Sequence, residues 1–131
     1  YAAARNITIV PEIETPGHAL APIVAYPELG SAAPDPSKMG DWGVFPWLYN
    51  TDDATFAFLD DVLNEVMDVF PSTFIHVGGD EAVKDQWKAS PRIQARIRTR
   101  RWRGMCFSSF SCRLSFCSRK ARNSGQSCDH D

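Results

Sequence analysis

Two β-branched, apolar runs, residues 6–13 and 73–77, each close on an acidic turn with a helical stripe between them, and that order limits the chain to few folds. In the first run Ile7, Ile9, Val10 and Ile13 suit a buried strand that ends at Pro11 and Glu12, since proline cannot donate to an interior ladder. Thr51 or Asp52 can cap a helix whose apolar positions Phe56, Leu59, Leu63, Val66 and Phe70 recur at spacings of three and four. Asp52 and Asp53 sit near the positive end of that helix, and Pro71 stops it. Residues 73–77 then read as a second strand, and Gly78 and Gly79 follow it with backbone freedom that other residues lack. A strand, helix and strand in this order form a right-handed crossover between parallel neighbours. The expected fold class is therefore α/β. In parallel sheets of this kind the chemistry gathers at the C-terminal strand ends, where Glu12, His18, His76, Asp80 and Glu81 fall.

The connection between the two runs is uneven. Thr15, Pro16 and Gly17 have turn chemistry, and residues 19–26 can form a short helix that Pro27 ends. Residues 30–50 read as a long irregular excursion rich in Gly, Pro, Ser and Asp. Its Trp42, Trp47 and Tyr49 could stack on a sugar face, but packing a long loop is the commoner use of such aromatics, and they receive no role.

Charge divides the chain after Ile97. Residues 1–97 hold 6 Lys/Arg against 14 Asp/Glu, and residues 98–131 hold 8 against 2, so a net −8 meets a net +6. All four cysteines, Cys106, Cys112, Cys117 and Cys128, lie in the second part. A basic, cysteine-bearing tail could bind nucleic acid or zinc. The cysteines, however, lack the close pairs that a tetrahedral zinc site uses, and a short polar tail offers no core for disulfides to staple. Residues 98–131 are expected to be an atypical extension, disordered or frameshifted, that carries no chemistry. The start at Tyr1 lacks the basic and apolar regions of a signal peptide, so the native N-terminus is expected to lie upstream. Charges and prolines interrupt every apolar stretch, so no membrane span is expected.

Cleavage of a glycosidic bond needs an acid to protonate the leaving oxygen and a carboxylate to stabilise the charge that develops on the sugar carbon. Asp80 and Glu81, adjacent at a strand tip, can divide those roles. A neighbouring carboxylate and partial desolvation would raise the Glu81 carboxyl and suit it to proton donation. Two solvated acids opening a helix are the plainer reading of Asp-Glu alone.

The longer string His76-Val77-Gly78-Gly79-Asp80-Glu81 resembles the His-x-Gly-Gly-Asp-Glu signature of glycoside hydrolase family 20, the β-N-acetylhexosaminidases. Val10-Pro11-Glu12-Ile13-Glu14-Thr15-Pro16-Gly17-His18 is similar to the end of that family's preceding strand, and Phe70-Pro71-Ser72 to its approach to the catalytic strand. The resemblance covers residues 1–97, as a partial catalytic domain. It implies a (β/α)8 TIM barrel in which the two runs are the third and fourth strands. It also implies hydrolysis of terminal non-reducing N-acetylhexosamine residues, with the substrate's own 2-acetamido oxygen as nucleophile. By position Glu81 would be the general acid/base and Asp80 the group that orients the acetamide. His18 would belong to the polar network around the acid, with Glu12 and His76 as supporting residues. The partner implied is an oligosaccharide ending in N-acetylglucosamine or N-acetylgalactosamine, with no nucleic acid and no cofactor or metal. The compartment implied is periplasmic, extracellular or lysosomal.

Two alternatives stay open. A metal-dependent barrel hydrolase could use His18, His76, Asp80 and Glu81 as ligands, though none of them has metal-binding spacing in the sequence. A truncated, inactive product is the other, because such a barrel needs about 250 residues.

Overall fold

The structure, a computed structural model, describes residues 1–102, with side chains to Thr99. All four cysteines lie outside the described residues, whereas residues 98–102, the start of the expected disordered or frameshifted tail, continue a helix. Among the described residues four α-helices form the frame: α1 (Leu20–Ala25), α2 (Asp53–Val69), α3 (Asp85–Ala89) and α4 (Pro91–Trp102). The change of composition after Ile97 falls within α4. No helix among the described residues is long and apolar enough to cross a membrane.

The two extended runs do meet side by side and parallel, at a bridge between Glu12 and His76. The His76 amide donates to the Pro11 carbonyl at 2.9 Å, and the His76 carbonyl accepts from the Ile13 amide at 2.9 Å. Thr15 extends the contact, its amide and hydroxyl both donating to the Val77 carbonyl at 3.0 and 2.9 Å. The pairing goes no further, and no strand forms among the described residues, contrary to the two strands expected. The reason is physical. Parallel strands are stable when buried on both faces, whereas Ile7, Ile9, Val10 and Phe74 are 56, 51, 49 and 70% exposed.

The core lies beneath the site, in two clusters that share one stretch of chain. Tyr49 packs with Ala19, Ile23 and Leu29, and Leu48 packs with Trp87 and Ile93. Successive residues of an extended chain face opposite sides, so neighbours 48 and 49 enter different clusters. That stretch pairs antiparallel with Gly30, fixed by Ser31 N–H to Leu48 O at 2.9 Å and Asn50 N–H to Leu29 O at 2.8 Å. The excursion of residues 30–50 is therefore anchored at both ends, while Trp42 on it is fully exposed.

Helix α2 begins and ends where expected, but neither Thr51 nor Asp52 caps it through its side chain. The Asp52 carboxylate pairs with Arg92 on α4, as Asp53 pairs with Arg96. Buried Asn50 takes over the N-terminus. Its Oδ1 accepts from the Asp52 amide at 2.9 Å and the Thr55 hydroxyl at 2.6 Å, and its Nδ2 donates to the Glu28 carbonyl at 2.6 Å. Asn50→Ala strands the buried Thr55 hydroxyl and should cost about 2 kcal/mol of stability. The measurement is the urea midpoint of a complete barrel carrying this segment, and an unchanged midpoint would remove Asn50 from this role.

Candidate active site

The end of the first extended run and the turn after the second lie against each other. A Cβ built on Gly17 would rest 3.6 Å from both the Asp80 carbonyl oxygen and Ala82 Cα, so the Pro16-Gly17-His18 turn packs on the backbone that carries the acids. The Tyr49 amide donates to the Pro16 carbonyl at 3.0 Å and ties the same turn to the core below.

Within this rim the five candidate residues sort into two pairs and Asp80. His18 Nε2 stands 3.4 Å from Glu81 Oε2. His76 Nδ1 stands 2.6 Å from Glu12 Oε1, a hydrogen bond that gains strength when the imidazole is protonated. His18, Asp80 and Glu81 each bring a ligand atom within 4.8 Å of the other two. That spacing could admit a divalent cation, but all three side chains are exposed, as acidic surface groups commonly are without one. The partial desolvation expected of Glu81 is not supplied by the described residues, since its side chain is 57% exposed.

The backbone here is unusual. His18 and Glu81 have φ of 50° and 48°, a left-handed conformation uncommon outside glycine. Such conformations persist where the surrounding structure imposes them, and they cluster at functional sites. The two strained residues are the ones whose side chains face each other.

One acid in the rim had no assigned role. Glu14 lies two residues beyond Glu12, so in an extended run both side chains point to one face; that alternation was the available signal. Its Oε2 is sealed from solvent and has no hydrogen-bond partner among the described residues. Burial pushes the Glu14 carboxyl above the ordinary carboxylate range. The charges of Glu12 and Asp80 act in the same direction, as does the hydrogen bond that a protonated Glu14 can give Glu12, and His18 opposes them.

Acids and a histidine at the ends of parallel segments suit hydrolytic chemistry, and comparison with known proteins gives both the class, a glycoside hydrolase, and the family. The chain belongs to glycosyl hydrolase family 20: the sequence model of that family's catalytic domain matches residues 1–121. The β-hexosaminidase of Porphyromonas gingivalis is 46% identical over 99 residues, which cover 75% of this chain and 13% of that protein. Among solved structures, Flavobacterium johnsoniae chitobiase superposes with a TM-score of 0.71 at 36% identity, covering 77% of this chain and 15% of its own. A Bacteroides fragilis β-N-acetylhexosaminidase gives 0.63 at 41% identity, covering 77% and 19%. The chain thus spans less than a fifth of the length of each of these relatives. The solved neighbours imply a TIM-barrel catalytic domain.

Proposed function

We propose that this chain forms part of a retaining β-N-acetylhexosaminidase that removes terminal N-acetylglucosamine or N-acetylgalactosamine from oligosaccharides without a cofactor. The two extended runs are its third and fourth barrel strands. The observation that carries the reading is the approach of His18 to Glu81, 3.4 Å apart, with Asp80 beside them on the rim of the parallel pair. The curated relative's designation as a β-hexosaminidase supports the substrate class.

The reaction follows from the groups present. Protonated Glu81 gives its proton to the glycosidic oxygen as the bond to the anomeric carbon breaks. The acetamide oxygen of the same sugar attacks that carbon and forms an oxazolinium ion, with Asp80 accepting a hydrogen bond from its N–H and stabilising its charge. Water then attacks the anomeric carbon and reopens the ring while the Glu81 carboxylate takes the water's proton. Two inversions at one carbon leave the configuration retained. His18 holds the Glu81 carboxyl in place, and the Glu12–His76 pair supports the adjoining strand end.

Asp80→Asn, in a complete barrel carrying this segment, tests the reading. A charge-assisted hydrogen bond is worth about 2 kcal/mol, so kcat should fall about thirtyfold with KM little changed. An effect confined to KM would remove Asp80 from the charge-stabilising role. Activity should also survive a chelator, and its loss would favour a cation held by His18, Asp80 and Glu81.

A further inference from the structure

We propose that Glu14 is a positioning residue for Asp80, acting through its carboxyl group lodged against Gly78 at the start of the turn that carries the acid. The inference rests on the reading of Asp80 above. Gly78 has φ +66°, and any side chain there would collide with Glu14: a Cβ would lie 1.8 Å from Oε2 and 2.7 Å from Cδ. The fit is close enough that Glu14 can occupy its place only because residue 78 is glycine. Thr15, the next residue, grips the Val77 carbonyl with both its amide and its hydroxyl. Residues 14 and 15 therefore clamp residues 77 and 78, two positions before Asp80. The charged groups facing Glu14 are Glu12, Asp80 and His18, and Glu12 is itself bonded to His76. A carboxyl group placed among them senses the charge of Asp80 as well as fixing its backbone.

Such a residue acts on the step that Asp80 serves, so its removal should change kcat more than KM, and only while Asp80 is intact. The experiment measures kcat and KM with a chromogenic N-acetylglucosaminide for Glu14→Ala, Glu14→Gln and Asp80→Asn, and for Glu14→Ala combined with Asp80→Asn, all in the full-length enzyme. Glu14→Ala is expected to lower kcat about tenfold with KM within about twofold. Glu14→Gln, which keeps the shape and can still hydrogen-bond Glu12, should recover most of the loss. In the Asp80→Asn background the Glu14→Ala effect should shrink below about twofold, the non-additivity expected of residues that act together. An equal loss in both backgrounds, or a change in KM alone, would overturn the role of Glu14 and leave that of Asp80 standing. If Asp80→Asn has no effect by itself, the reading of Asp80 fails and takes this inference with it. Should Glu14→Ala fail to fold, Glu14→Asp replaces it in the cycle, since a side chain one methylene shorter withdraws from Gly78, and the same outcomes decide.

Discussion

Replacing Glu81 with Gln in a complete barrel carrying this segment is expected to lower kcat by at least about a hundredfold, the low end for loss of a general acid. Glutamine keeps the length and planarity of the side chain and its contact with His18, but it has no proton to give the leaving oxygen. Substrate affinity should change little, since the proton moves only as the bond breaks. Near-wild-type kinetics with a chromogenic N-acetylglucosaminide would refute the assignment.

Expressed alone, the 131 residues should turn over no such substrate above background. A barrel of this class takes about 250 residues, and here the parallel pair is secured at a single bridge with Ile7, Ile9, Val10 and Phe74 open to water. Apolar surface contributes roughly 25 cal/mol per Å² when buried, so a pair with its outer faces uncovered forgoes most of what would hold it. Hydrogen exchange should find the amides of residues 8–10 unprotected. Strong protection across both runs together with robust turnover would show the prediction wrong, and would mean that copies of the chain complete the wall for one another.

The sequence made the site more legible than the fold. His76 through Glu81 and Pro16 through His18 could be placed at neighbouring strand ends because each follows a β-branched run and contains glycine or proline. The structure sets Gly17 against the backbone of Asp80 and Ala82, as that placement requires. Strand character was not legible in the same way, since a β-branched run becomes a strand only when partners pair with it, and the described residues give each run one partner over one bridge. Helices α3 and α4 went unread. Trp87, on a helix of five residues, is buried by Leu48 and Ile93 from elsewhere in the chain, and no local periodicity announces such a contact. Asn50 escaped notice as the residue holding the start of α2 because Thr51 and Asp52 are equally good caps by composition, and Arg92, forty positions on, draws Asp52 away. Glu14 was visible in the motif, but its importance depends on the space above Gly78.

The left-handed backbone at His18 and Glu81 affects how mutagenesis of this site should be interpreted. Valine, isoleucine and threonine are poorly tolerated at φ near +50°, so a saturation library would lose them at both positions for conformational reasons alone. Counting tolerated substitutions would then overstate the chemical demand at these positions, and most of all at His18, whose proposed contribution is indirect. Asparagine, which enters this region with least penalty among residues bearing a polar side chain, supplies the fairer reference: the difference between asparagine and valine at His18 measures the backbone, and the difference between histidine and asparagine measures the imidazole.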